Sequence, residues 1–533
     1  MSNNQYGNDY GTAAPATERD LRRAKIIGSK RRPIFGYFNR FPCYQPSDGS
    51  IAVWGGAGSG KSASVFMANE LIDTGMNTIT FDPKGEITAC GLLQSSLLGY
   101  HSWVVNPFGI AGLPQHSTNP LDHLTPDNST LISDARKTIG DLLPSTGGAK
   151  WWQDSAHEIV MACTLFLTER DRKVSLKTLY RALCDIAETD TWASLAEAMQ
   201  NSQHAEVRGM ADTLIMAKLD GREAYTAPMN TIKSTFSFMQ EKAIADAVSG
   251  NDFSLSVVTD TTIKARVKIV FPAQHLGLTK GLVRLLLGRP IQDKFKMGGS
   301  HRIGVIVDEC GQLGHFPSVM DLYTYGRGAG VFGLCSWQAI GQTIDAFGKE
   351  GADAIMSSAQ IRVFAGVRDI DTARIVSAMG GTLTRHYFDE KKQADAQRGK
   401  EAAVIGMVQS GDILKGAQQA RHFNRLKTIQ DQQSRWLLTP DEVLNYSGMV
   451  AFASGIVEGA ILGEWVRFFE RKQWAGRYLC NPYHDPEFVT LKTWYGRTKK
   501  ARMLTADCPP ALAHMPQYQA SEFQFIQGYR PRL

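Results

Sequence analysis

The chain has 533 residues, 43% of them hydrophobic and 21% charged, which is typical of a globular protein with two or three domains. Lysine and arginine exceed aspartate and glutamate by 58 to 52, so the net charge of +6 permits binding to a polyanion without requiring it. The eight cysteines form no C-x-x-C pair, which argues against a disulfide scaffold. No segment approaches about 18 apolar residues, which argues against a membrane-spanning helix. No apolar stretch follows a positively charged N-terminal region, which argues against a secretory signal.

Residues 1–45 are predicted to form an N-terminal arm that is basic and partly disordered. The first 18 residues are rich in Asn, Gly, Ala and Thr, a composition that disfavours a packed core. Residues 19–32 contain a cluster of lysines and arginines that fits contacts with phosphates or with a membrane surface. The same cluster fits a solvated helix face, which is the interpretation we favour.

The first motif that carries chemistry follows the apolar segment 51–54. The glycine-rich turn at 55–62 matches G-x-x-x-x-G-K-[ST] and precedes a segment with helical spacing, as a phosphate-binding loop must. Glycines let backbone N–H groups point at phosphates, Lys61 neutralises the β- and γ-phosphates, and the Ser62 hydroxyl ligates Mg²⁺. The residues predicted to bind the nucleotide are Gly55, Gly56, Ala57, Gly58, Ser59, Gly60, Lys61, Ser62 and Ser64.

Short apolar segments typical of buried strands recur along the chain, at 51–54, 78–81, 103–105, 267–271, 303–307, 331–335 and 361–364. They alternate with helical stretches, which predicts an α/β fold with a mostly parallel sheet covered on both faces. Between 121 and 250 the strand pattern stops, and apolar residues recur at three- and four-residue spacing. This pattern predicts an inserted all-α domain.

The predicted organisation is therefore a nucleotide-binding domain interrupted by a helical domain. We assign residues 46–121 and 251–470 to the two parts of the nucleotide-binding domain and residues 122–250 to the all-α domain. Residues 471–533, which are rich in aromatics and proline, are assigned to a C-terminal extension.

A second, acidic motif completes the predicted site. The apolar segment 303–307 ends at Asp308 and Glu309. Asp308 is placed to hold Mg²⁺, and Glu309 is placed to polarise the attacking water as a general base. Together the two motifs predict a RecA-like P-loop ATPase that uses ATP and Mg²⁺.

Two more residues are candidates for the predicted site. Gln338 lies just after the segment 331–335, where a polar side chain can sense the γ-phosphate. Arg327 is a candidate arginine finger, a residue that would reach the nucleotide of a neighbouring subunit. This role requires that the subunits form a ring. Surface solvation is the alternative for Arg327. With Lys61 and Glu309, these two residues make up the predicted catalytic set.

These motifs resemble the type IV secretion coupling proteins, the conjugative DNA-transfer ATPases of the TraG/TraD type. The likeness covers roughly residues 50–470 and includes a motif at 82–86 that is otherwise an ordinary turn. Besides the loop at 55–62, it rests on Asp82-Pro83-Lys84-Gly85-Glu86, Asn119-Pro120-Leu121, Trp152-Gln153-Asp154, Asp308-Glu309 with Gln312-Leu313-Gly314, Arg327-Gly328, Gln338, and Leu438-Thr439-Pro440-Asp441-Glu442.

The resemblance implies a RecA-like domain with an all-α insertion, assembled as a homo-hexameric ring that carries a relaxase-bound DNA strand or effector proteins to a secretion channel. It implies three kinds of partner: DNA, single-stranded and bound without sequence preference; relaxase and other relaxosome proteins; and the ATPases and inner-membrane components of the channel. It also implies that the helical domain and the C-terminal extension recognise cargo.

Two features depart from the family pattern. Members carry a transmembrane anchor before the loop, whereas about fifty residues precede it here and none of them spans a bilayer. We therefore expect a cytoplasmic protein that a partner recruits to the inner face of the bacterial inner membrane; a soluble variant and a chain from which the anchor has been removed are the alternatives. The segment 47–50 also lacks a basic residue that some relatives place there, so a second cationic contact to the nucleotide must come from elsewhere, and Arg40 is a candidate.

Three functions fit the motifs. The leading hypothesis is a DNA-pumping ATPase whose basic side chains grip a threaded strand. The alternatives are a receptor that docks protein substrates onto a secretion channel and uses ATP to control assembly, and an FtsK/HerA-like translocase unconnected to secretion, which the motifs at 82–86 and 438–442 disfavour. Candidate DNA contacts lie in the polar stretch 385–435, which also fits a solvated insertion: Lys391, Lys392, Arg398, Lys400, Lys415, Arg421, Arg425 and Lys427.

Overall fold

A computed structural model of the chain describes residues 11–29, 31–144, 151–187, 192–220, 222–387, 389–410, 418, 421–424, 431–484, 486–493, 497–513 and 522–531. The first ten residues, predicted to be disordered, lie outside the described residues, as do Lys415, Arg425 and Lys427 of the polar stretch. The chain divides into two compact units, one formed by Met1–Ala16 with Asp369–Asn445 and the other by Thr17–Arg368 with Tyr446–Leu533.

The strands of the described part of the chain are β1 Ile34–Phe38, β2 Phe41–Tyr44, β3 Ile51–Trp54, β4 Asn77–Phe81, β5 His101–Val105, β6 Ala265–Ile269, β7 Ile303–Val307, β8 Val331–Trp337, β9 Ile361–Ala365, β10 Thr382–Tyr387, β11 Asp431–Trp436, β12 Met449–Ala453, β13 Ile461–Gly463, β14 Phe488–Lys492, β15 Thr498–Asp507 and β16 Glu522–Ile526.

The α-helices of the described residues are α1 Glu18–Arg23, α2 Met67–Glu70, α3 Glu86–Leu97, α4 Leu131–Leu142, α5 Trp151–Asp171, α6 Leu176–Ala187, α7 Trp192–Gln200, α8 Ala205–Asp220, α9 Arg222–Thr235, α10 Lys242–Ala247, α11 Leu276–Met297, α12 Pro317–Ala329, α13 Ile340–Ser358, α14 Ile370–Gly380, α15 Glu390–Ser410 and α16 Pro440–Leu444. One π-helical turn, Ser62–Phe66, leads into α2.

The larger unit is built on a sheet with the strand order β13-β12-β9-β3-β8-β7-β4-β6-β5. The seven strands from β9 to β5 pair in parallel, and β12 and β13 extend the sheet as antiparallel strands. Every residue of β3, β4, β6, β7 and β8 is buried, because a parallel sheet with helices on both faces has no solvent-facing side. The predicted α/β core is confirmed.

Aromatic side chains pack at the carboxyl ends of the central strands. Trp54 of β3 lies beside Trp337 of β8 and Phe364 of β9, with ring centroids 5.6 Å and 5.1 Å away. The Trp54 indole N–H donates to the Thr343 hydroxyl at 3.0 Å, so this large side chain is buried without an unpaired donor. The loop that follows β3 therefore starts from a rigid base.

Helices fill the stretch between β5 and β6. Between residues 121 and 250 the described chain contains α4 to α10 and no strand, in agreement with the predicted helical character. The boundaries 122 and 250 of an all-α domain stay a prediction, as do the other domain limits. In the C-terminal extension, β14, β15 and β16 form a separate antiparallel sheet.

The smaller unit contains α14 to α16 and the antiparallel pair β10–β11. Thr439 is the N-cap of helix α16. Its hydroxyl accepts from the backbone N–H of Glu442, and the Glu442 carboxylate accepts from the backbone N–H of Thr439. This capping box explains why the motif at 438–442 ends a loop and begins a helix.

A buried ion cluster joins α2, the helix after the phosphate-binding loop, to strand β6. Glu70 of α2 accepts from Lys268 at 2.5 Å and from Arg266 at 3.1 Å, and all three side chains are at most 3% exposed. Burial alone would raise the pKa of Glu70, but the charges of Lys268 and Arg266 outweigh burial and lower it to about 2. Glu70 is therefore ionised, and its single negative charge pairs with two buried cations.

The Glu70→Gln change keeps the shape of the side chain and removes the carboxylate that pairs with both Arg266 and Lys268. We expect the free energy of unfolding to fall by about 3–5 kcal/mol, because each buried cation loses its partner. Urea unfolding followed by tryptophan fluorescence measures the change.

The matched control is Glu18→Gln, which removes a carboxylate that is 41% exposed and pairs with Arg22 on the surface. We expect the control to change the free energy of unfolding by less than about 1 kcal/mol. Equal unfolding midpoints for the two variants would contradict a stabilising role for the cluster.

Candidate nucleotide site

The loop at 55–62 connects β3 to the π-helical turn and takes backbone conformations that require glycine. Gly58 and Gly60 have φ values of +73° and +85°, a region that side-chain-bearing residues rarely adopt. A Cβ on Gly55 would lie 2.4 Å from the Ala365 carbonyl oxygen, so the loop can approach β9 only without a side chain at this position. The predicted glycines are thus required by the geometry of the turn.

Lys61 and Ser62 point from the loop toward the end of β7. The Lys61 ammonium is buried, donates to the Gly55 carbonyl at 2.7 Å and lies 3.4 Å from a Glu309 carboxylate oxygen. The Ser62 hydroxyl donates to Asp308 Oδ2 at 2.5 Å. The structure therefore brings both predicted motifs into one site, although 246 positions separate Ser62 from Asp308.

Asp308 is a buried carboxylate in an environment that disfavours its charge. Burial raises its pKa to about 6, although the hydrogen bond from Ser62 and the charge of Lys61 lower it. An acid of this kind is suited to a cation that would supply the missing positive charge. Ser62 and Asp308 offer the oxygen ligands that Mg²⁺ prefers.

Glu309 has a strained backbone conformation, and Gln338 contacts its side chain. Its φ of +59° lies in the left-handed region, which is uncommon for a non-glycine residue and is found at functional sites. The Gln338 amide donates to Glu309 Oε2 at 3.0 Å, so Glu309 lies between Gln338 and Lys61. Lys61, Glu309 and Gln338 of the predicted catalytic set therefore meet at one point.

Ser336 of β8 is a member of the site that the sequence did not reveal. Its hydroxyl donates to Asp308 Oδ1 and accepts from the backbone N–H of Glu309, both at 3.0 Å. It thus fixes both acidic residues from the neighbouring strand. The only signal in the sequence is a lone polar residue inside the apolar segment 331–337.

Two buried hydroxyl groups lie in the loop and in the π-helical turn that follows it. The Ser59 and Ser64 hydroxyls are buried and have no hydrogen-bond partner within the described part of the chain. Both belong to the predicted nucleotide-binding set, and a phosphate would accept their hydrogen bonds. The residues present thus fit a nucleotide phosphate with Mg²⁺.

The motif at 82–86 organises the helix beside the site. Asp82 follows β4 and accepts from the Thr88 backbone N–H at 2.8 Å and from the Thr88 hydroxyl at 2.9 Å, which caps the first turn of α3. Burial raises the pKa of Asp82, and the Asp82 charge in turn contributes to the raised pKa of Asp308. The motif therefore has a structural role besides the turn expected from its sequence.

Arg327 lies away from this cluster. It is in the last turn of α12, four residues before β8 begins, whereas Gln338 follows the carboxyl end of the same strand. The seven residues of β8 place the two ends roughly 20 Å apart. Arg327 is exposed and close to Arg302, whose pKa is lowered by burial and, to a smaller extent, by neighbouring charges that include Arg327.

Arg40 is also outside the site. Its guanidinium lies 5.0 Å from the centre of the Phe41 ring and lines a cavity with Glu18, Arg471 and Lys492. None of the loop residues lines this cavity. The structure therefore does not support Arg40 as a cationic contact to a nucleotide bound at 55–62.

Two arginines that the sequence did not single out flank the loop instead. Arg368 follows β9, and its Cδ lies 2.9 Å from the position that a Cβ on Gly56 would take. Arg467 follows β13, and its Nε lies 3.5 Å from the corresponding position on Gly60. Sequence reasoning missed them because neither belongs to a recognisable motif.

The model of the family described as "Type IV secretory system Conjugative DNA transfer" matches residues 16–452. The chain belongs to this family. Type IV secretion system-coupling protein VirD4 of Bartonella quintana is similar to it, with 23% identity over 372 residues that cover 67% of this chain and 57% of VirD4. Conjugal transfer protein TraG of Agrobacterium fabrum is 23% identical over 387 residues, which cover 69% of this chain and 56% of TraG.

The chain thus spans less than two thirds of the length of these relatives. Among solved structures, the bacterial conjugative coupling protein TrwBdeltaN70 has a TM-score of 0.61 at 14% identity, over 86% of this chain and 95% of its own. The complex of TrwB with ADP and Mg²⁺ has a TM-score of 0.59, at 14% identity, over 85% and 94%. These likenesses confirm the predicted fold, a RecA-like α/β domain with additional helices.

Within the described ranges, no helix combines the length and the apolar composition that a membrane crossing requires.

All eight cysteines are free thiols, as their spacing predicts.

The Ser336→Ala variant tests how the acidic pair is held. The change leaves the buried Asp308 carboxylate and the Glu309 backbone N–H each without one partner, so we expect the free energy of unfolding to fall by about 1–3 kcal/mol. Thermal unfolding of the nucleotide-free protein measures this change.

The control is Ser357→Ala, which changes an exposed serine of α13 whose hydroxyl donates to a backbone carbonyl. We expect the control to lower the free energy of unfolding by about 0.5 kcal/mol or less. A Ser336 variant as stable as the control would show that Asp308 does not depend on this contact.

Proposed function

We propose that the chain is a Mg²⁺-dependent ATPase that acts as a coupling protein, recruiting a relaxase–DNA complex and driving DNA transfer through a type IV secretion channel. The observation that carries the proposal is the contact network in which Lys61 meets Glu309, Glu309 meets Gln338, and Ser62 meets Asp308. These are the parts that nucleotide hydrolysis needs, at hydrogen-bonding distances. The related TrwB binds ADP with Mg²⁺ and an ATP analogue, and this supports the assignment.

Each residue of the network has a role that follows from its contacts. Lys61 exchanges its contacts with the loop carbonyls and Glu309 for the β- and γ-phosphates. Ser62 and Asp308 would hold Mg²⁺, which would offset negative charge on the phosphates. Glu309 takes a proton from the attacking water, and Gln338 fixes its orientation and senses whether the γ-phosphate is present.

Arg327 acts on a neighbouring subunit. Because it lies at the amino end of β8, the length of a strand away from its own loop, it cannot contact the nucleotide bound by the same chain. In a ring it faces the next subunit, where its cation offsets charge that develops in the transition state. This position supports a homo-hexamer.

The cargo is a DNA strand, in keeping with the family and with the basic residues of the smaller unit. The side chains of Lys391, Lys392, Arg398 and Arg421 are exposed. We assign recognition of relaxase and of channel components to the helices between β5 and β6 and to residues 471–533. We further propose that a partner recruits the chain to the inner face of the inner membrane.

Steady-state ATP hydrolysis with and without single- and double-stranded DNA tests the proposal. We expect DNA to stimulate hydrolysis, Lys61→Ala to abolish it, and Glu309→Gln to lower kcat by about 10²-fold or more, since the general base is lost. Stimulation should weaken steeply with salt. Lys349→Ala, an exposed lysine of α13, is the control and should match the wild type. Hydrolysis that is indifferent to DNA would instead favour docking of protein cargo.

Mixing two inactive variants tests the ring. We expect Arg327→Ala and Glu309→Gln each to be nearly inactive alone. In a mixture, an Arg327→Ala subunit contributes an intact loop and Glu309, and its Glu309→Gln neighbour contributes an intact arginine. Activity should therefore reappear at a fraction of the wild-type rate. A mixture with no more activity than its separate components would overturn the assignment of Arg327 to a neighbour's site.

A further inference from the structure

Arg368 is attached to the phosphate-binding loop by its own backbone segment. The Gly56 N–H donates to the Gly366 carbonyl at 3.0 Å, so the chain after β9 runs directly beside the loop. The Arg368 stem packs where Gly56 lacks a side chain, and its Nη2 lies 4.0 Å from the position that a Cβ on Gly58 would take. The guanidinium is therefore held next to the apex of the loop.

Arg467 approaches the same loop from the chain after β13. The Trp465 indole N–H donates to the Ser59 carbonyl at 2.9 Å, which ties this segment to the loop. Two residues further on, the Arg467 guanidinium lies against Gly60, immediately before Lys61. The loop is thus flanked by two arginines, each delivered by a segment that is hydrogen-bonded to it.

These arginines are not paired with acidic residues of the described chain, although the Arg467 guanidinium lies 5.9 Å from the centre of the Phe469 ring. Both side chains are exposed, and neither forms an ion pair with a carboxylate of the described residues. Lys61, in contrast, already faces Glu309. A guanidinium presents a planar set of donors that matches a phosphate, and such charge-assisted bonds are among the strongest in proteins.

We propose that Arg368 and Arg467 bind the phosphates of the nucleoside triphosphate held by their own subunit, a role that rests on the proposed ATPase function. Arg368 packs on Gly56, whose carbonyl lies 3.5 Å from the Lys61 ammonium, so it is at the end of the loop that receives the terminal phosphate. Arg467 packs on Gly60 and contacts a phosphate that the diphosphate shares. The pair supplies the cationic contacts that the segment 47–50 lacks.

Titration with fluorescent ATP and ADP analogues in the presence of Mg²⁺ tests the proposal on the full chain. We expect Arg368→Ala to weaken ATP binding by about tenfold or more and ADP binding much less, because the diphosphate lacks the terminal phosphate. Arg467→Ala should weaken both nucleotides by a similar factor. The lysine variants Arg368→Lys and Arg467→Lys should recover part of the loss, since they keep the charge but not the planar donor set.

The matched control is Arg136→Ala, which removes an exposed arginine of α4 that pairs with Glu158 on the surface and should leave both affinities unchanged. Thermal unfolding of each variant without nucleotide reports folding, and unchanged midpoints with lowered affinity support direct contact. If the wild type binds ATP while Arg368→Ala and Arg467→Ala bind it equally well, this inference fails and the ATPase proposal stands. If the wild type binds no nucleotide, both are overturned.

Discussion

The site depends on one constraint, the position of β8 between β3 and β7 in a parallel sheet. Strand β3 carries the phosphate-binding loop, and strand β7 ends in the acidic pair. They are not neighbours, so their carboxyl ends are separated by the width of one strand. Residues of β8 and the turn after it fill this gap: Ser336 bonds to Asp308, and Gln338 bonds to Glu309. A parallel arrangement puts all three carboxyl ends at the same edge, where ligands of open α/β sheets bind.

The site is costly in stability, and the buried framework beneath it offsets this cost. Asp308 is a carboxylate in a setting that raises its pKa to about 6, and Glu309 adopts a left-handed backbone conformation. Backbone strain of this kind persists only where the surrounding structure holds the residue in its strained conformation. Wholly buried strands supply that structure, and the cluster of Glu70, Arg266 and Lys268 links the helix after the loop to β6, beyond the long helical stretch in the sequence.

The arginines divide between the two edges of the sheet. Arg368 and Arg467 lie at the carboxyl edge beside their own loop, whereas Arg327 lies at the amino edge near Arg302. Under the function proposed above, a subunit binds the nucleotide with its own cations, and a neighbour brings Arg327 to it. In that proposal, binding and hydrolysis are separable steps, and hydrolysis is coupled to the arrangement of the ring.

The sequence by itself determined the local chemistry: the loop at 55–62, the acidic pair 308–309, Gln338, the seven parallel strands and the α/β class. These features are encoded in short contiguous patterns, because a tight turn needs glycine and a buried strand needs apolar residues throughout. Only the tertiary structure decided that Ser336 supports the acidic pair, that Arg40 lies elsewhere, and that Arg368 and Arg467 flank the loop. Those relations depend on how strand order brings separate segments together, and strand order cannot be predicted from any local stretch of sequence.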